Sequence, residues 1–111
     1  MKQARASQKP IMVDFFATWC GPCHFLAESV YTAPNVINES HDFISVQVDV
    51  DKRTDLAQKY QVASMPTIAF FDASGKEVSR ESGVPGDAQV AAEWLVGVMK
   101  AAKQKNAGTP A

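Results

Sequence analysis

The sequence reads Val13-Asp14-Phe15-Phe16-Ala17-Thr18-Trp19-Cys20-Gly21-Pro22-Cys23 where an apolar run meets a pair of cysteines. The run at residues 11–17 is rich in β-branched and aromatic side chains, which is typical of a buried strand. After Cys23 the apolar residues recur at spacings of three and four, and a proline is tolerated in the first turn of a helix. The two cysteines are therefore expected where a strand passes into a helix.

The spacing of the two cysteines favours chemistry over structural support. The loop that they close is too short to remove much entropy from the unfolded chain. A thiolate is the species that attacks disulfides, and the unpaired amides at a helix start favour negative charge on Cys20. Cys23 follows one turn later, close enough to resolve a mixed disulfide on Cys20. We expect a reversible dithiol/disulfide pair.

The rest of the chain predicts an α/β domain with the element order β-α-β-α-β-β-α. Strands are predicted at residues 43–50, 67–71 and 77–80, and helices at residues 53–60 and 87–103. The first strands form a βαβ unit and are expected to be parallel, whereas the turn-rich residues 72–76 indicate an antiparallel hairpin. The result is a central mixed sheet of about four strands flanked by helices.

Two helices carry more detailed expectations. Pro34 ends the first helix near Tyr31 and begins a short second one, with Thr32 as its cap and with Val36 and Ile37 facing inward. Asp87 is expected to cap the last helix. That helix has an apolar stripe of Val90, Trp94, Leu95, Val98 and Met99. We expect one domain at residues 1–103 and a flexible C-terminal tail at residues 104–111.

Composition restricts the classes of partner. The chain has 111 residues and a formal net charge of -1, so no net field attracts it to nucleic acid. No apolar run is long enough to insert into a membrane, and we expect a monomer. The compartment stays open: cytoplasmic if Met1 is the native start, periplasmic or otherwise extracytoplasmic if this is a domain of a longer or signal-bearing chain.

Two motifs together resemble the thioredoxin superfamily. The stretch from Val13 to Cys23 is similar to its active-site segment, and Met65-Pro66-Thr67 is similar to its cis-proline loop, with Pro66 43 residues after Cys23. The resemblance runs from about Lys9 to Met99. It implies a thioredoxin fold and a protein-disulfide reductase or interchange activity without a cofactor or metal. It also implies two kinds of partner: disulfide-containing proteins and an upstream redox partner, either a reductase or a transmembrane electron donor.

The resemblance also implies roles for single residues. Cys20 is the attacking nucleophile, Cys23 is the buried resolving thiol, and Asp14 is the buried acid that assists proton transfer to and from Cys23. The apolar neighbours of Asp14 independently predict burial and a raised pKa. The residues implied in binding the extended chain of a partner are Trp19, Gly21, Pro22, Met65, Pro66 and Gly83.

Two positions depart from ordinary thioredoxin. Gln47 stands where the family usually has a lysine that faces the buried acid from the neighbouring strand. Pro34 follows Cys23 by eleven residues, a spacing that resembles the C-terminal periplasmic domain of the transmembrane thiol-disulfide reductase DsbD. We interpret the chain as nearer that branch, although Gly21-Pro22 is the thioredoxin choice.

Other readings of the cysteine pair remain open at the level of sequence. Cys20 to His24 also satisfies the attachment pattern of c-type haem, although a position between a buried strand and a helix does not suit a small cytochrome. A zinc site needs four good ligands, and the chain offers only Cys20, Cys23, His24 and His41. A pair that merely packs leaves Trp19 without a purpose. A redox-inert thioredoxin-fold module that binds extended polypeptides is the alternative from another functional class.

Overall fold

The central sheet has four strands in the order β2-β1-β3-β4. The computed structural model describes residues 8–106. The strands are β1 (Ile11–Phe16), β2 (Ile44–Asp49), β3 (Thr67–Phe71) and β4 (Glu77–Ser82). Strand β1 is parallel to β2, and β3 is antiparallel to both β1 and β4. The mixed sheet and its parallel βαβ unit are as the sequence predicts.

Within residues 8–106, four α-helices pack around the sheet, and a π-helical turn directly follows the first of them. The helices are α1 (Gly21–Phe25), α2 (Pro34–Ser40), α3 (Thr54–Lys59) and α4 (Ala88–Gln104). Between α1 and α2 the chain forms a π-helical turn at Leu26–Val30, where the amide of Tyr31 donates to the Leu26 carbonyl at 2.8 Å. Such turns are rare in proteins, and those that occur are often found at functional sites. The expected break before Pro34 is confirmed.

Both faces of the sheet are covered, so β1 is buried on both sides. Successive side chains of a strand point to opposite faces. Met12 packs with Leu26, Leu95 and Met99 on one face. On the other face, Ile11, Val13 and Phe15 pack with Val48 and Phe71. Asp14 shares the face of Met12 and is the polar exception in a buried strand.

Three packing expectations were wrong. Thr32 does not cap α2: Ala33 occupies the cap position, and the Thr32 hydroxyl donates to the Glu28 carbonyl of the preceding turn at 2.9 Å. Val36 is buried, but Ile37, one step further around a short helix, is 45% exposed. Val90 lies in the first turn of α4, close to Gly86, and is 49% exposed. The side chain of Asp87 does cap α4, accepting from the Val90 amide at 3.0 Å.

The packed part of the chain reaches beyond the expected start of the tail at residue 104. Asn106 is buried, its side-chain oxygen accepts from the Ala73 amide at 2.8 Å, and its side-chain nitrogen donates to the Gln8 carbonyl at 3.0 Å. One amide side chain thus ties both ends of the described chain to the hairpin. The rest of the expected tail, residues 107–111, lies outside the described residues. Within residues 8–106, no helix has the length and apolar character needed to cross a membrane.

Candidate active site

Cys20 lies at the junction of strand and helix that the sequence predicts. Its backbone is extended, with φ −88° and ψ 115°, and it occupies the cap position immediately before α1. Its sulfur accepts a hydrogen bond from the Cys23 amide at 3.2 Å. Backbone amides at the start of a helix favour negative charge on a nearby sulfur.

The two cysteines are joined to each other. Cys20 and Cys23 form a disulfide with their Cα atoms 5.3 Å apart, and each is 5% exposed. A separation of one helical turn allows the bond to form and break without a large movement of the backbone. Among the described residues no cysteine is left unpaired. The structure therefore presents the oxidised state of a redox pair.

The loop before β3 approaches the active-site sulfur. The Met65 carbonyl oxygen lies 3.5 Å from Cys20 Sγ, and the Met65–Pro66 peptide bond is cis. The Pro66 carbonyl in turn accepts from the Gly83 amide at 3.0 Å. These contacts bring together Cys20, Met65, Pro66 and Gly83, four of the residues singled out from the sequence. Pro66 itself is buried, whereas Met65 and Gly83 are half-buried.

Trp19, Gly21 and Pro22 form the exposed part of the site. Trp19 is 69% exposed, so its apolar ring is available at the surface next to Cys20. Its indole nitrogen donates to Asp51 Oδ2 at 2.9 Å. Sequence reasoning missed Asp51, although β1 and β2 are parallel and their carboxyl ends meet at one edge of the sheet. That edge is where a residue just after β2 can reach Trp19.

Asp14 is a buried acid, as expected. It is 4% exposed, and its Oδ1 atom has no hydrogen-bond partner among residues 8–106. Burial raises the pKa of Asp14 from 3.8 to about 6, while the nearby Tyr31 hydroxyl acts in the opposite direction. Gln47 is its direct partner across the β1–β2 pair. The influence of Tyr31 was missed by sequence reasoning, because Tyr31 lies 17 residues after Asp14 and no local pattern pairs the two.

The two histidines lie apart from any ligand cluster. Nε2 of His24 donates to the Thr18 carbonyl at 2.6 Å, and His41 follows the end of α2. In the part of the chain that the structure describes, no three His, Cys, Asp or Glu side chains are grouped to hold a metal ion. The sulfurs of Cys20 and Cys23 are bonded to each other. The geometry of the site is that of disulfide chemistry.

Comparisons with known proteins give the family. The thioredoxin family model matches residues 1–94. A thioredoxin-2 of Saccharomyces cerevisiae is 42% identical over 78 residues, which cover 70% of this chain and 71% of that protein. A thioredoxin of Mycobacterium bovis is 37% identical over 91 residues, which cover 79% of this chain and 73% of the relative.

Solved structures agree with the sequence comparisons. The X-ray structure of Fasciola hepatica thioredoxin superposes with a TM-score of 0.69 at 36% identity, covering 86% of this chain and 83% of that one. The oxidoreductase DsbH superposes with a TM-score of 0.78 and covers 93% of this chain and 78% of its own. At 22% identity the second match shows the fold alone.

Proposed function

Since the chain belongs to the thioredoxin family and is a thiol-disulfide oxidoreductase, we propose that Cys20 is its nucleophile and Cys23 its resolving thiol. The observation that supports these roles is the place of Cys20 directly before α1, where the Cys23 amide donates to its sulfur. A thiolate is stabilised at that position. Both cysteines are 5% exposed, and Cys23 differs by its place inside the first turn of α1, from which it can attack Cys20.

In the proposed reaction, two electrons pass from the reduced pair to a protein disulfide. The Cys20 thiolate attacks one partner sulfur, a bond forms between the two, and the other partner sulfur leaves as a thiolate. Cys23 gives its proton to the Asp14 carboxylate and attacks Cys20 Sγ. The Cys20–Cys23 bond closes, the mixed disulfide breaks, and the second partner sulfur is released. An acid with a pKa of about 6 is ionised at neutral pH and can accept that proton.

The partner chain is proposed to lie across Trp19, Gly21, Pro22, Met65, Pro66 and Gly83. The Met65 carbonyl is close to Cys20 Sγ, so an extended chain beside Met65 brings its own sulfur to the nucleophile. Exposed Trp19 offers an apolar surface next to it. Pro66 is buried beneath this surface, and its carbonyl oxygen accepts a hydrogen bond from the Gly83 amide, which fixes the position of Gly83.

We extend the proposal to the partners and the state of assembly. The protein acts as a monomer on disulfide-containing proteins, and an upstream dithiol donor, either a soluble reductase or a membrane-bound one, returns the pair to its reduced form. Thiol exchange of this kind needs no organic cofactor or metal. The spacing of Pro34 from Cys23 supports a donor of the membrane-bound type.

Insulin reduction by dithiothreitol tests the proposal. We expect Cys20→Ser to reduce the rate to the uncatalysed background. Cys23→Ser keeps the nucleophile and loses the resolving thiol, so it is expected to accumulate a mixed disulfide that reductant releases. If the protein is instead a redox-inert binding module, wild type and Cys20→Ser should both reduce insulin only at the uncatalysed background rate. A Cys20→Ser variant as fast as a catalytically active wild type would refute the role of Cys20.

A further inference from the structure

A cleft of about 380 Å³ lies on the sheet face that carries Asp14. Its lining includes Asp14 from β1, Tyr31 after the π-helical turn, Ser40 from α2, and Ser45 and Gln47 from β2. A water molecule takes up about 30 Å³ of liquid volume, so several fit. Met12, Val36 and Val46 make most of the lining apolar, and the serine, glutamine, tyrosine and aspartate side chains supply the polar groups that can hold water.

Two buried polar atoms adjoin this cleft without a protein partner. Asp14 Oδ1 and the Tyr31 hydroxyl oxygen are both inaccessible, and neither has a hydrogen-bond partner among residues 8–106. A buried polar group left unpaired costs about 1–3 kcal/mol. Both atoms are closed to solvent in this structure, so water reaches them only when the Tyr31 side chain moves, and it then removes that cost by bridging the two groups to the cleft.

Tyr31 is the titratable group that acts on Asp14. Its hydroxyl lowers the pKa of Asp14 against the larger effect of burial, and the pKa of Tyr31 is raised by burial first and by Asp14 second. The residues opposite Asp14 on the neighbouring strands, Gln47 on β2 and Ile68 on β3, carry no charge. Tyr31 stays a neutral phenol at neutral pH, so it can accept one hydrogen bond while donating another.

The charged groups of the helices on this face are engaged elsewhere. Glu39 of α2 is buried, and its carboxylate pairs with Lys103 of α4 at 2.5 Å. Lys103 also pairs with Asp42 at 2.8 Å. Neither Glu39 nor Lys103 is a cause of the shift in the pKa of Asp14.

The proposed reaction needs a route for one proton. When Cys23 attacks, its proton passes to the Asp14 carboxylate, and Asp14 must release it to solvent before the next turnover. Asp14 is 4% exposed, so direct release is obstructed. The cleft is the opening that its carboxyl group adjoins.

We propose that Tyr31 is a positioning residue for Asp14 and that its hydroxyl, with water in the cleft, carries the Asp14 proton to and from solvent. This inference rests on the proposed proton-transfer role of Asp14. No net chemistry occurs at Tyr31: it donates its own hydroxyl proton as it accepts another, and its bonds are unchanged after the transfer.

The equilibrium test follows the Asp14 carboxyl carbon by NMR in the oxidised protein. Tyr31→Phe removes one oxygen atom, and the Asp14 midpoint is expected to rise by about one pH unit because the hydroxyl that lowers the pKa of Asp14 is lost. Tyr60→Phe is the matched control, since Tyr60 packs against Phe15 and Phe71 on the opposite face of the sheet. Its Asp14 midpoint is expected to equal that of wild type. An unchanged midpoint in Tyr31→Phe overturns the inference.

A kinetic test separates positioning from simple packing. In the pH profile of insulin reduction, the limb assigned to Asp14 is expected to move upward in Tyr31→Phe by about one pH unit. The smaller ionised fraction of Asp14, about twofold at pH 7, and the missing relay hydroxyl together are expected to lower the rate about tenfold. In an Asp14→Asn background Tyr31→Phe should cause no further loss. A further tenfold loss there means that Tyr31 does not act through Asp14 and overturns the inference. Wild type inactive on insulin refutes the proposed function instead, whereas the NMR titration needs no turnover.

Discussion

Asp14 and Gln47 are direct partners in the parallel register of β1 and β2. The position that the thioredoxin resemblance assigns to a lysine thus faces the buried acid in this chain too, but holds a neutral amide. Without a neighbouring cation, nothing on β2 offsets the effect of burial, and the pKa of Asp14 rises to about 6. The acid is therefore poised close to neutral pH.

Gln47→Lys is expected to lower the pKa of Asp14 by about one unit, because an opposite charge nearby favours the carboxylate. Gln47 is exposed, so solvent screening keeps the effect at the small end of its range. Gln58→Lys is the matched control: it makes the same substitution at an exposed position of α3, which packs on the opposite face of the sheet. The Asp14 midpoint measured by carboxyl NMR should move in the first variant and not in the second. Equal shifts would mean that the general field, not the facing position, acts on Asp14.

Stability is expected to fall as pH rises through the titration of Asp14. The pKa of Asp14 is about 6 in the folded protein and near 3.8 when unfolded, so between these values the folded state binds more protons. The stabilisation is complete below pH 4 and is lost by pH 6–7. The total loss is about 3 kcal/mol in the free energy of unfolding.

Asp14→Asn removes this dependence. Urea unfolding at pH 4 should give similar free energies for variant and wild type, and at pH 7.5 the variant should be more stable by about 1–3 kcal/mol. The same variant should reduce insulin more slowly, since it cannot accept the proton of Cys23. An unfolding midpoint below that of wild type at pH 7.5 would show that Asp14 is not a destabilising buried charge.

What the sequence could predict is mainly what local periodicity determines. The strand predicted at residues 67–71 matches β3. Leu56 and Ala57 of α3, and Tyr60 directly after it, pack against the core as predicted, because apolar spacing along one element specifies which side is buried. The place of Cys20 was predictable for the same reason. The junction of a buried strand with a helix is visible within a few residues.

Contacts between distant segments could not be read from such patterns. Tyr31, which follows the π-helical turn, acts on Asp14 across 17 positions of sequence, and Asp51 reaches Trp19 across 32. Asn106 pairs with Ala73 over a similar separation. A polar residue in an exposed stretch gives no local sign of its partner, so the groups that position Asp14 and Trp19 emerged from the fold.

Loss of the Asp51 carboxylate is expected to free the indole of Trp19. Asp51→Ala should raise the KM for insulin several-fold, because Trp19 is no longer held at the proposed partner surface, and should leave the free energy of unfolding within about 0.5 kcal/mol. Asp55→Ala is the control, since it removes an exposed carboxylate that pairs with Arg53 instead. Steady-state kinetics and urea unfolding of both variants test this. The same KM in both variants would argue against a role for the Trp19–Asp51 hydrogen bond.

Gly83 and Gly86 separate the demands of function from those of packing. Both have a positive φ, of 82° and 70°, so alanine at either position is expected to cost about 1 kcal/mol of stability. A Cβ atom at Gly83 meets nothing within 4 Å, whereas at Gly86 it lies 2.6 Å from Val90 Cγ1 and 2.8 Å from Val90 Cβ. Gly86→Ala should therefore lose at least about 1 kcal/mol more than Gly83→Ala in urea unfolding.

Although Gly83→Ala should be the more stable of the two glycine variants, it should be the less active. Gly83 adjoins Pro66 at the proposed partner groove, so Gly83→Ala is expected to slow insulin reduction although it is the more stable variant. Gly86→Ala, measured where it is fully folded, should retain the wild-type rate. Adding Val90→Ala to it should restore stability only in part, because the crowded Cβ of residue 90 remains. If Gly83→Ala keeps full activity, the added methyl group hinders no partner chain, and Gly83 does not line the partner groove.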